Sequence, residues 1–175
     1  MTFCLDHSVA LLERTPALLD AWLRGLPEAW AHSNEGPGTW SPFDIVGHLI
    51  HGEQTDWLPR TKQILAGGDA AIFVPFDRTG HEASSVGKSI EDLLSEFAEC
   101  RSASLSELRA LELGPAELAL SGIHPEFGPV RLDHMLAAWT AHDLAHLAQA
   151  ARAMARYYRS SVGAWHQYLP IVGPL

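Results

Sequence analysis

With 175 residues and a hydrophobic share of 47%, the chain has material for one domain with one core and none to spare for a second full domain. Its formal net charge of −9, with only 12 Lys and Arg and no basic cluster, excludes a surface that tracks phosphates, so no nucleic-acid partner is expected. Cys4 and Cys100 are far apart and form no C-x-x-C, which excludes a disulfide framework and a cysteine-rich zinc site.

The N-terminal stretch MTFCLDHSVALLERT has no basic region and meets Asp6 before any long apolar run, so it does not read as a secretory signal. No apolar stretch approaches the length of a membrane span. A soluble cytoplasmic protein with no membrane partner is expected. From about residue 3 to 26, Leu5, Val9, Leu11, Leu12, Leu18, Leu19, Trp22, Leu23 and Leu26 recur at roughly helical spacing, and Thr15-Pro16 divides the stretch into two short helices or kinks a single one. Residues 32 to 40, HSNEGPGTW, form a loop.

Ser41-Pro42-Phe43-Asp44 is a helix start, with an N-cap serine, proline at the first position and an acid in the first turn. That helix is predicted to run to about Ala66, to bend at Pro59 and to end at Gly67-Gly68. Residues 68 to 87 have no helical period and form a long connection of the kind often found over a site. A third helix starts at Ser89, with Asp92 completing a capping pattern, and stops before Gly114-Pro115. Residues 117 to 131 form either a small hairpin or an irregular crossover. The strongest helix spans about Leu132 to Tyr158, and the apolar tail SSVGAWHQYLPIVGPL packs back on the bundle.

His142 and His146 in HDLAH lie four apart, which stacks both imidazoles on one face of the last helix, a spacing suited to two neighbouring positions on one metal ion. Spacing alone is a weak signal in a chain with 10 histidines, but the pair shares a core-facing stripe with Trp139, where an unpaired polar ring is costly. His48 stands on the presumed inner face of the second helix between Ile45 and Leu49 and is the natural third ligand. Three histidines with open positions form the catalytic pattern for zinc and similar ions. The plainer reading is that each histidine is hydrogen-bonded in the core or faces solvent.

The segments WSPFDIVGHLIHGEQTDWLPR and HDLAHLAQAARAMARYY resemble the DinB/YfiT-like family of metalloenzymes, and the likeness extends nearly along the whole chain to the VGAWHQYL tail. The resemblance implies a four-helix bundle with an unusual connection order, often dimeric, that holds zinc or nickel. It maps the metal ligands onto His48, His142 and His146. Many members follow the last histidine with Arg-Gly-Gln, whereas this chain has Leu147-Ala148-Gln149, and Gln149 either touches a metal-bound water or caps the cluster. The resemblance also points to a low-molecular-weight thiol, activated by the metal, as partner to a small electrophile. A non-catalytic metal-binding or stress-associated role and hydrolysis by metal-bound water are the alternatives.

Other polar residues take plainer readings. HDLAH differs from the metalloprotease HExxH by one residue, but Asp143 lies about 100° around the helix from His142 and has a short arm, so it reads as support for a ligand or as a surface ion pair. His51 is the first candidate for a fourth ligand, against simple solvent exposure. Asp56 and Arg60 read as a helical ion pair, with Glu53 in the same surface network. His7, His32, His81, His124, His134 and His166 read as surface residues, and no residue stands out as catalytic.

Overall fold

The computed structural model describes residues 3–174. Two short helices, α1 (Leu5–Leu12) and α2 (Thr15–Leu23), take the place of a single kinked one, and Pro16 occupies the first turn of α2, where its missing N–H has no partner to lose. A single turn, α3 (Glu28–Ala31), precedes the predicted loop. The next helix, α4 (Pro42–Thr55), opens on a full capping box: Asp44 N donates to Ser41 Oγ at 3.3 Å, and Ser41 N donates to Asp44 Oδ2 at 2.9 Å.

The expected single helix to Ala66 is two. The chain breaks at Asp56 (φ −115°, ψ −78°) before α5 (Trp57–Gly67), three residues ahead of Pro59. Proline offers no N–H to the carbonyl four residues back, and its ring crowds that carbonyl, so the damage falls at Thr55 and Asp56 rather than at Pro59 itself. Gly68, at φ +53°, ends α5 in a conformation that favours glycine.

The 68–87 connection contains a short helix, α6 (Gly80–Ser84), and Ile72 pairs as an isolated parallel bridge with Ile123. A second full capping box, Ser89 with Asp92, starts α7 (Ile90–Ala110). After the turn α8 (Pro115–Leu118), β1 (Ser121–His124) pairs antiparallel with β2 (Gly128–Arg131), Ser121 facing Arg131, so the hairpin rather than the irregular crossover is present. The longest helix, α9 (Leu132–Arg156), follows directly. The tail folds back through two 3-10 turns and buries Val172. None of the described helices is long and apolar enough to cross a membrane.

The α1/α2 pair, the α4/α5 pair, α7 and α9 make a four-helix bundle whose core falls into two halves. One half gathers Val9, Leu12, Leu58, Ile64, Leu105, Leu108, Leu136 and Trp139. The other gathers Leu19, Leu23, Ile45, Leu49, Leu93, Leu94, Phe97 and Ala150. Each Val, Leu, Ile or Phe among them contributes about 1.5–3 kcal/mol on burial. Between the halves every long helix carries polar residues where its apolar stripe would continue: Glu53 on α4, Arg101 on α7, and His142, Asp143 and His146 on α9. The bundle therefore has a polar layer at mid-height.

Candidate metal centre

In that layer three imidazoles converge. His48 Nε2 lies 3.0 Å from His142 Nε2, and His142 Nε2 lies 3.1 Å from His146 Nε2. All three donor atoms lie within 4.8 Å of one another. The HDLAH spacing places His142 and His146 one above the other on α9, and His48, nearly two turns into α4, faces them across the bundle. The sequence-predicted trio is thus brought together.

Neutral imidazoles cannot satisfy one another in this arrangement. Gln149 Oε1, which can only accept, takes the proton of His146 Nδ1 at 2.9 Å, so His146 Nε2 presents a bare lone pair to the cluster. Gln149 thus meets His146 on the side away from the other two rings, the contact its capping reading requires. Nδ1 of His48 and of His142 are buried with no partner among the described residues, leaving their Nε2 atoms to meet at one point. Burial, reinforced by the neighbouring imidazoles, lowers the pKa of His48 to about 3. Burial, His146 and then Arg101 lower that of His142 to about 3 as well. His146 is also pushed down by burial, with Gln149 working in the opposite direction. The three rings are held neutral, the state a cation needs. Nitrogens bound to one ion at about 2.0–2.1 Å stand roughly 3 Å apart in neighbouring positions, so the observed spacing fits a divalent metal.

Aromatic rings enclose the cluster. Trp40 lies 4.5 Å from the His48 ring and 5.9 Å from that of His146, and Trp57 stands edge-on to His142 at 5.2 Å. On one side His48 and His142 open into a pocket of about 520 Å³, walled by Trp40, Trp57, Phe73, Phe76, Phe127 and Met135.

The opposite side is closed by an ion network. Arg101 Nε donates to Glu53 Oε1 at 2.9 Å, Nη1 to Asp143 Oδ2 at 2.6 Å and to the Leu12 carbonyl at 2.8 Å, and Nη2 to Asp143 Oδ1 at 3.0 Å. Trp139 Nε1 adds a bond to Glu53 Oε1 at 3.2 Å. Arg101, Glu53 and Asp143 are all nearly inaccessible, so the surface readings of Glu53 and Asp143 are corrected: both are buried and paired. With both oxygens held by Arg101, Asp143 is not placed as a general base. Asp56 and Arg60 do pair, at 2.6 Å, but against the pocket wall rather than on the surface.

Other histidines differ from their sequence readings, among them His124, taken as a surface residue but half-buried in the pocket lining. His51 is half-buried, stands outside the trio and packs on Phe76 at 5.1 Å. His81, taken as a surface residue, is 1% exposed, stands edge-on to His48 and Trp40, and has neither ring nitrogen hydrogen-bonded among the described residues. It reaches that place because α6 docks on α4 at Gly47, where a Cβ would lie 2.6 Å from Ser85 Oγ. A lone histidine in an aperiodic loop gives no sequence signal of this. Arg101 did leave one, since it falls in the Phe97 to Leu105 register of an apolar stripe.

The sequence profile of the DinB superfamily matches residues 11–150. The chain belongs to the DinB superfamily. A search of curated proteins found no match. Among solved structures, this DinB chain is similar to YfiT from Bacillus subtilis, described as a probable metal-dependent hydrolase with an unusual four-helix bundle topology, at TM-score 0.72 and 20% identity, with 87% of each chain covered. It is also similar to TT2238, described as a four-helix bundle protein, at TM-score 0.54 and 21% identity, covering 82% of this chain and 95% of the other.

Proposed function

We propose that this DinB protein is a metal-dependent enzyme in which His48, His142 and His146 hold a divalent cation, zinc or nickel, and a low-molecular-weight thiol is transferred to a small electrophile in the adjoining pocket. The observation that carries the reading is the meeting of three neutral imidazole nitrogens at the inner end of an aromatic pocket. Such an ion supplies charge that lowers the pKa of a coordinated thiol below its free value of about 8.5, giving nucleophile at neutral pH.

The protein's own residues do the rest. Gln149 fixes the tautomer and ring angle of His146, Trp40 and Trp57 keep bulk water from the cluster, and the pocket walls orient the electrophile. Neither Cys4 nor Cys100 lines the pocket, so the sulfur comes from a small molecule. Among the described residues Asp56 is the one carboxylate lining the pocket, and Arg60 holds it, which leaves none free there to deprotonate a water. A thiol needs less help, which favours transfer over hydrolysis.

The second reading is hydrolysis, supported by the likeness in fold to a protein described as a probable metal-dependent hydrolase. Cobalt-loaded protein separates the two. Millimolar low-molecular-weight thiol is expected to give a sulfur-to-cobalt charge-transfer band in wild type and in a Cys4→Ser, Cys100→Ser variant alike, together with metal-dependent conjugation to a model electrophile. A spectrum that responds to hydroxide and carboxylates but to no thiol would replace transfer with hydrolysis or metal binding alone.

A further inference from the structure

The pocket beside the histidines has more basic than acidic side chains in its lining, in an acidic chain. In a protein of net charge −9, its lining carries Arg60, Arg78, His124 and His134 against a single acid, Asp56. Their states differ. Arg60 is engaged by Asp56 and by the Val74 carbonyl, its guanidinium lying over the Phe73 ring, and exposed His134 turns toward Asp133.

Arg78 and His124 are left. Arg78 stands exposed on the 68–87 connection, where no carboxylate of the described residues pairs with it; its neighbour Asp77 is turned to the Thr79 backbone and hydroxyl. His124 accepts the backbone N–H groups of Glu126 and Phe127 at its Nδ1, at 3.2 and 3.4 Å. Its proton therefore sits on Nε2, a donor with no partner among the described residues. The ring is fixed by stacking on Phe127 at 4.5 Å. The space between is apolar and flanked by flat rings, which suits a planar or aliphatic body with no polar atoms of its own.

We infer that the pocket takes a small apolar molecule ending in a carboxylate, with Arg78 binding the carboxylate at the mouth, His124 Nε2–H as a second donor, and the apolar body lying between Trp57, Phe76 and Phe127 toward the histidines. This rests on the pocket being the substrate side of the proposed centre and names the class of molecule that enters it. The Asp56–Arg60 pair keeps the wall itself neutral, so the charge that selects is the one at the rim. A substrate of either sign would find the apolar wall equally good, and only the rim separates them.

Binding to chelator-treated, metal-free protein tests the inference, with 3-phenylpropionate and 3-phenylpropionamide as probes and quenching of the wall tryptophans as signal. The carboxylate should bind about fivefold tighter than the amide, or more, and lose that margin as salt is raised. In Arg78→Met the margin should vanish while the amide binds as before, and His124→Phe should reduce it in part. Equal binding of the two probes to wild type, a margin that survives Arg78→Met, or no quenching by either probe would overturn the inference. Because no metal is present, failure of the metal centre leaves this result untouched. A carboxylate preference that appears only on adding zinc and persists in Arg78→Met would overturn the inference while supporting the centre.

Discussion

The histidine cluster is flanked by a buried ion triad and a buried ion pair, of similar chemistry and different setting. Behind it, Arg101 is saturated by Glu53, Asp143 and the Leu12 carbonyl, with all three charged side chains nearly inaccessible to solvent. In front, Asp56 and Arg60 pair across one helical turn in the wall of a 520 Å³ pocket. The first joins α4, α7 and α9 and supports the two helices that carry the histidine cluster. The second leaves the pocket wall without net charge. Burial of charge thus marks scaffold on one side of the site and lining on the other, and what separates them is whether water can replace a lost partner.

The largest expected effect breaks the closed side. Arg101→Met leaves two carboxylates buried without a cation, and urea denaturation should show a loss of about 3–5 kcal/mol. Glu53 is already pushed upward in pKa, by burial first, with Arg101 holding it back, so part of that loss should be regained at low pH as it protonates. A loss under about 1 kcal/mol would place the network outside the core.

The matching change in front should cost less. Burial raises the pKa of Asp56, with Arg60 opposing, so in Arg60→Met the acid can take up a proton from water entering the pocket. Denaturation should register roughly 1–3 kcal/mol. Losses as large as those of Arg101→Met would erase the distinction between the triad and the pair.

Gln149→Leu removes the acceptor behind His146 without touching the triad or the pair. Metal affinity, measured by competition with a chromophoric chelator, should fall about 10- to 100-fold while stability of the metal-free protein changes little. An unchanged affinity would mean that Gln149 only fills space.

A further effect is spread along the pH axis and grows toward acid. His48 and His142 have folded pKa values of about 3 against 6.5 in the unfolded chain. Above pH 6.5 both states are neutral and stability is unaffected. Below it the unfolded chain binds protons that the folded protein refuses, so the metal-free protein should weaken progressively from pH 6.5 toward 3. A His48→Leu, His142→Leu variant should show a flatter profile, and an equal slope in both proteins would place these rings in solvent.

The same contrast explains what could be read from sequence. The helices were legible because Ser41-Pro42 and Ser89-x-x-Asp92 set their starts and an apolar stripe fixed each inner face. His142 and His146 were legible because a local spacing on one helix is their geometry. Glu53, Asp143 and Arg101 were not, since each partner lies on a different helix and a lone charge on a stripe does not say what it meets. The break at Asp56 followed from proline acting four residues upstream. His81 depends on how α6 lies against Gly47, a tertiary fact with no local pattern.

Metal content of purified protein tests the central claim most directly. Wild type, loaded with zinc or nickel and dialysed, should retain about one ion per chain, while the His142→Ala, His146→Ala variant should retain almost none at nearly unchanged helicity by circular dichroism. A full equivalent of metal in the double variant would contradict the account.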